Sequence, residues 1–290
     1  MPTHSLPSGD RLLDLLRLPA GPVDLASLDA RATAGYPGKG KKDADEATAA
    51  LGPELAELQE RLFAAGRAGL SDAPSVLVVL QGMDTSGKGG VIRHAIGMVD
   101  PQGVALKAFK APDEAERAEH YLERIRRSLP APGMIGIFDR SHYEDVLITR
   151  VQGLVPEDEV ERRFDEINAF EAELVTSGTV VVKCFLHVSF AEQGERLAER
   201  LANPEKHWKY APADVDARRR WDDYQQAYAA ALERCSTPQA PWYVVPADRK
   251  WYRNWAVARL LLETLRDLGL GWPAADFDVE LEKRRLAEVG

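Results

Sequence analysis

The chain has 290 residues, 45% hydrophobic and 29% charged, with a net charge of -9 at pH 7. These figures exclude wholesale disorder and argue against general nucleic-acid binding, which relies on a basic face. The longest apolar runs, 75–80 and 179–186, fall far short of the ~20 residues a membrane helix needs.

The first residues, MPTHSLPSGD, lack the basic-then-apolar order of a signal peptide. Cys184 and Cys235 provide neither a disulfide framework nor a four-thiolate zinc site. The expectation is a cytoplasmic protein without membrane or nucleic-acid partners.

Residues 8–18 read as a short amphipathic helix started at Ser8, followed by a connector at 35–42 (GYPGKGKK). Leu51, Leu55, Leu58 and Leu62 recur at helical spacing and Gly66 closes that helix. From Ser75 the pattern predicts strands at 75–81, 104–109, 134–138, 179–187 and 242–246. Between and after them, helices are predicted at 88–98, 113–129, 156–176, 190–201, 213–234 and 251–268. Near-continuous Val, Leu and Ile in three strands suits a parallel sheet covered on both faces.

Residues 202–212 (ANPEKHWKYAP) are polar, basic and bracketed by prolines, and read as a lid. The chain therefore divides into an N-terminal helical extension (1–70), a core (71–270) with a lid at 196–220, and a C-terminal tail (271–290).

Charge is distributed unevenly. Lys88, Arg93, Lys107 and Lys110 outnumber the two acids between residues 82 and 110, and seven cations outnumber four acids between 196 and 220. An acidic chain with two basic islands suits an anionic ligand.

The first island opens with QGMDTSGKGG at 81–90, which follows a buried strand and matches the Walker A spacing at Gly82, Gly87 and Lys88. Backbone amides of Gly82, Thr85, Ser86, Gly87, Gly89 and Gly90 can wrap phosphate oxygens, and Lys88 adds a point charge. Gly89 stands where the usual motif has a metal-binding Ser or Thr. Asp84 within the loop and Asp139 at a strand end are the substitute metal carboxylates. Asp139 could also act only as a helix cap, and Arg140 only as half of a surface ion pair. On a corner facing phosphate, however, Arg140 can grip two oxygens at once. Arg93, Lys107 and Lys110 lie along the same predicted sheet edge, a basic track longer than one nucleotide needs.

Together, QGMDTSGKGG, PQGVALKAFKAP, IGIFDRSHYEDVL, INAFE, FLHVS, NPEKHWKYAPAD and APWYVVPADRKWYRN resemble the polyphosphate kinase 2 family over residues 30–270. The resemblance implies a P-loop kinase-like α/β three-layer sandwich with a five-stranded parallel sheet and a helical lid. It implies phosphoryl transfer between inorganic polyphosphate and AMP, ADP or ATP, with magnesium (manganese as the alternative) and assembly as a homodimer or homotetramer. Carried onto this chain, Asp84 and Asp139 are the metal carboxylates, Lys88 and Arg140 the transfer-site cations, and Arg200, Lys206 and Lys209 the lid cations. Glu144 and Glu171 match acidic positions without an assigned step.

SHYEDVL is most similar to the branch that phosphorylates both AMP and ADP. Gly89 replaces an Asp common in that branch, and Glu123 replaces a Trp. Arg200, with Arg196 second, is the candidate for delivery to the transferring group. Trp208 is the better candidate base-stacking residue, whereas Trp242, Tyr243, Trp251, Tyr252 and Trp255, which could bracket an adenine ring, read first as packing or a subunit contact. The rival readings are an ATP-dependent nucleoside or nucleotide kinase and a nucleotide-sensing module.

Overall fold

Three of the five strands are nearly unbroken Val, Leu and Ile, and burial follows that composition. β1 (Ser75–Gln81) is buried at all seven positions. β3 (Ile135–Asp139) is buried except at its last residue, and β4 (Thr179–His187) is buried from Val181 onward. In a computed structural model describing residues 11–290 these strands form the centre of a parallel sheet. β2 (Val104–Ala108) and β5 (Trp242–Pro246) lie at the edges, giving the order β2-β3-β1-β4-β5. Every predicted strand is present within one residue at either end.

The chain opens with α1 (Leu12–Leu16), α2 (Lys41–Ala49) and α3 (Gly52–Arg67). After β1 come α4 (Lys88–His94), β2, α5 (Glu114–Ala118), α6 (Glu123–Arg126) and β3. Then follow α7 (Glu144–Gln152), α8 (Glu157–Thr176), β4, α9 (Phe190–Ala202), α10 (Pro212–Arg219), α11 (Trp221–Arg234), β5, α12 (Lys250–Asp267) and α13 (Val279–Val289).

α12 packs against α2, α3 and α4, while α7 packs against α8 and α11. With the sheet between them, these helices make the α/β sandwich. The N-terminal segment docks onto β5 and α12. Leu18 N donates to Trp242 O at 2.8 Å, and Tyr252 OH donates to Ala34 O at 2.8 Å. No described helix is long and apolar enough to cross a membrane.

Local differences from the sequence expectations have identifiable causes. The start of the helix predicted at 8–18 and the leader reading of MPTHSLPSGD fall on residues outside those described. Gly66 does not end its helix: α3 runs to Arg67, and a Cβ at Gly66 would lie 2.4 Å from Pro132 O. That glycine is there for close packing, while Gly69, at φ +65°, stands just beyond the helix end.

The stretch predicted as 88–98 changes to a 3-10 turn at Ile96–Met98. The 113–129 stretch is split into two short helices, and the 213–234 stretch breaks at Arg220. α2 and α13 were not foreseen, and α7 was foreseen only as a helix after the Asp139 corner, without a range. α2 buries only Ala44 and α13 buries nothing, so neither carries the apolar periodicity that betrays a helix.

Candidate active site

β1 pairs with β3 on one side and β4 on the other, with Leu80 opposite Asp139 and Gln81 opposite Phe185. This register brings the loop after β1 and the corner after β3 to one end of the sheet. Gly82, at φ +145°, must be glycine because a Cβ would meet Leu186 O at 2.6 Å. Lys88 begins α4, is almost fully buried, and its Nζ donates to Gly82 O at 2.9 Å. Thr85 Oγ1 and Ser86 Oγ are buried without a hydrogen-bond partner among the described residues. Orphaned hydroxyls beside a lysine are what an anion-receiving loop leaves open.

Thr85 and Arg140 are the two non-glycine residues with positive φ among the described residues, at 67° and 64°. Each stands at one of the two turns that meet here, where strain is held in place by surrounding bonds. Arg140 N donates to Leu80 O at 3.1 Å, and Arg140 Nη2 donates to Asp84 Oδ1 at 2.9 Å. Burial works against the Arg140 charge, but Glu144 and Asp84 outweigh it and raise its pKa.

Glu144, in the first turn of α7, is pushed above the usual carboxylate range by burial, against the pull of Arg140 and Lys88. With its amide turned so that nitrogen faces Glu144, Gln81 donates to Glu144 Oε1 at 3.1 Å and accepts from Ser141.

Asp139 is half-buried, and its carboxylate makes no hydrogen bond or ion pair with a described residue. Asp84 and Asp139 therefore offer two hard oxygen donors. No grouping of three or more His, Cys, Asp or Glu that could hold a metal occurs among the described residues. That sparse set fits magnesium, which takes one or two carboxylates and fills its octahedron with water and phosphate oxygens. It does not fit zinc.

Two residues sit behind the loop. Arg196 donates to Thr85 O, Ser86 O, Ala247 O and Asp248 O at 2.7–3.2 Å and pairs with Glu192. A guanidinium so occupied supports the loop and is not free to swing toward a transferring phosphoryl group, as its place as second choice had assumed. Arg253, from α12, donates to Ser86 O at 3.0 Å. Sequence reasoning missed it, although it lies in a segment already matched, RKWYRN.

The residues expected to form a lid are engaged with one another and with their neighbours. Arg200 Nη1 donates to Lys209 O at 2.8 Å and to Asp214 Oδ2 at 3.1 Å. Burial, and next to it the Asp84 charge, raises the Asp214 pKa, so this ion pair shares the field of the phosphate loop. Lys206 pairs with Glu199, and Lys209 Nζ lies 4.9 Å from the ring of Trp208, which is 79% exposed.

Lys107 and Lys110 are exposed at the end of β2. Lys107 Nζ lies 5.7 Å from the Phe109 ring, and the Lys110 carbonyl is held by Arg124. Arg93 is exposed in the last turn of α4 and forms no ion pair with a described residue. Gly89 is exposed, and nothing lies within 4 Å of a Cβ placed there.

Glu171 belongs to a buried support beneath the corner rather than to the loop. It accepts from Lys183 Nζ at 2.5 Å and from Tyr143 OH at 2.8 Å, and His142 Nε2 lies 3.2 Å away. Burial alone would raise its pKa, but Lys183 and His142 hold it below the usual range. Trp242 packs on Tyr143, and Trp251 and Trp255 pack on Tyr36, which satisfies the packing reading of these aromatics.

Comparison with known proteins places the chain in a family. The family model described as Polyphosphate kinase 2 matches residues 39–269. The chain is 47% identical to an AMP/ADP-polyphosphate phosphotransferase of Meiothermus ruber over 255 residues, covering 88% of this chain and 93% of that protein. It is 36% identical to an ADP-polyphosphate phosphotransferase of Rhodopseudomonas palustris, covering 76% of this chain and 78% of the relative. The crystal structure of polyphosphate kinase 2 from Arthrobacter aurescens TC1 superposes with a TM-score of 0.92 at 49% identity, covering 96% of this chain and 97% of that one.

Proposed function

The chain belongs to the polyphosphate kinase 2 family, and from that premise we propose how its site performs the family's reaction. The protein is a phosphotransferase that moves a phosphoryl group between inorganic polyphosphate and a nucleotide, converting AMP or ADP to ADP or ATP. The observation that carries the reading is the junction of the two turns. Arg140 is tied to Asp84, and Asp139, beside Lys88's loop, has no side-chain partner among the described residues. An ATP-dependent kinase would share the loop, but the relatives named above are polyphosphate enzymes.

The acceptor is a phosphate oxygen that is already anionic, so no general base is needed. The obstacle is repulsion between two polyanions. The amides of the 82–90 loop and the Lys88 ammonium bind one phosphoryl group, and Arg140 can reach it while remaining bonded to Asp84. Asp84 and Asp139 would hold a divalent ion, Mg²⁺ or Mn²⁺, which when bound would supply neutralisation of phosphate charge. Arg200 reaches substrate by exchanging Asp214 for a phosphate oxygen, and arginines so placed contribute about 10³–10⁵ in rate in related transfers. The lid around Trp208 and Lys209 then excludes water as a competing acceptor. Lys107 and Lys110 hold the polymer further along. Because both donor and product carry phosphoanhydride bonds, the transfer runs in both directions.

Product analysis with polyphosphate and no ATP, offering AMP, ADP and GDP separately, tests the reading. Formation of ADP and ATP from the adenine nucleotides is expected. Absence of any polymer-dependent product would refute it.

A further inference from the structure

We propose that Arg253 is a positioning residue of the phosphate loop: from behind, its guanidinium fixes the Ser86 carbonyl and fills the space under Gly87 and Gly90, keeping the Gly87 amide turned toward phosphate. The inference rests on the phosphotransferase reading of the site and deepens it.

The geometry is specific. Ser86 O accepts from Arg253 Nη1 at 3.0 Å and from Arg196 Nη1 at 3.2 Å. In a trans peptide the C=O and the following N–H point in opposite directions. Anchoring the Ser86 carbonyl inward therefore turns the Gly87 N–H outward, and no carbonyl of a described residue accepts from it.

Arg253 also explains two glycines. A Cβ at Gly87 would lie 1.6 Å from Arg253 Nη1, and one at Gly90 would lie 2.5 Å from Arg253 Nη2. These positions are glycine because a guanidinium is packed against them, as well as because phosphate approaches from the other side.

The charge is unusual for its surroundings. Arg253 is 3% exposed, its remaining partner is the neutral Asn254 side chain, and no carboxylate of a described residue pairs with it. Burial, and next to it the Arg196 charge, pushes its pKa down to about 9. A buried guanidinium without a counter-ion is costly. An anion seated on the opposite face of the loop provides the missing charge. The anchor is firm, because Tyr252, Trp255 and Ala256 on α12 are all buried.

The test compares Arg253→Met, Arg253→Lys and Gly90→Ala with the wild type. It measures calorimetric affinity for inorganic tripolyphosphate, kcat and KM for ADP, and melting temperature. Arg253→Met should weaken tripolyphosphate binding about ten- to a hundredfold, the worth of a hydrogen bond to a charged group, and lower kcat while leaving the ADP KM within about threefold. Arg253→Lys should restore part of both losses. Gly90→Ala should mimic Arg253→Met, and its effect should shrink in the Arg253→Lys background, because the two changes act on one contact.

Wild-type tripolyphosphate affinity and kcat in these variants, with only the melting temperature lowered, would overturn the proposal. If Arg253→Met does not fold, Arg253→Lys and Gly90→Ala decide the matter by the same readouts. A wild type that binds tripolyphosphate but transfers nothing would defeat the reaction reading alone, and the affinity series would still judge Arg253.

Discussion

Arg140 Nη2 donates to Asp84 Oδ1 at 2.9 Å, joining the turn after β3 to the loop after β1 across 56 residues of sequence. The backbone at Arg140 sits at φ +64°, a conformation costing about 1–3 kcal/mol in a non-glycine residue unless its surroundings enforce it. The ion pair and the Arg140 N–H bond to Leu80 do so. Lysine carries the charge but not the planar fork, so Arg140→Lys should lower kcat by about 10²–10³ with little change in melting temperature. Steady-state kinetics with polyphosphate and ADP check this.

The glycines of the loop are not equivalent. Gly89 faces open space, whereas Gly87, at φ +111°, abuts Arg253. Gly89→Ser should leave unfolding free energy within about 0.5 kcal/mol of wild type, and Gly87→Ala should lower it by about 1–3 kcal/mol and abolish transfer. Chemical denaturation of both variants measures the contrast.

Lys107 and Lys110 are exposed, so their removal costs little beyond the contact of Lys107 with the Phe109 ring. The double change to Ala should raise KM for long-chain polyphosphate about tenfold while leaving KM for ADP nearly unchanged, and the effect should fade at high salt. An unchanged polyphosphate KM would remove these lysines from the path of the polymer.

Asp145 provides a pH signature. Burial lifts its pKa from 3.8 to about 6 even though Arg124 and Arg163 stand 3.7 Å away, and its Oδ2 has no hydrogen-bond partner among the described residues. The folded state therefore holds this proton more tightly than the unfolded chain does. Its contribution is fully present below pH 3.8 and lost as pH rises toward 6, on the order of 3 kcal/mol in all. The stability of wild type relative to Asp145→Asn should accordingly fall between pH 4 and pH 7. Urea unfolding at the two pH values measures it, and a difference independent of pH would contradict it.

Much of this is legible in the sequence alone. The apolar runs mark the three central strands because residues buried on both faces of a sheet must be apolar throughout. The Walker A spacing locates the loop because its glycines are adjacent in sequence. What stayed hidden depends on distance along the chain. Arg253 lies 167 residues from Ser86, and no local pattern connects them. Arg196 reads as a lid cation until its four carbonyl partners are seen. Gly66 passes for a helix stop because its true reason, contact with Pro132 and Gly133, is tertiary. α7 was implied by the helix-cap reading of Asp139 but given no range, because EDVLITRVQ is short and its apolar residues span barely two turns.

The most direct test follows the polymer itself. Phosphorus-31 NMR of inorganic polyphosphate incubated with ADP and Mg²⁺ should show chain phosphate consumed and ATP formed by the wild type. Asp139→Asn should be slowed by at least about 10³ while melting as the wild type does, because its carboxylate bonds no described residue. Polyphosphate left intact by the wild type, or consumed at the wild-type rate by Asp139→Asn, would contradict the account.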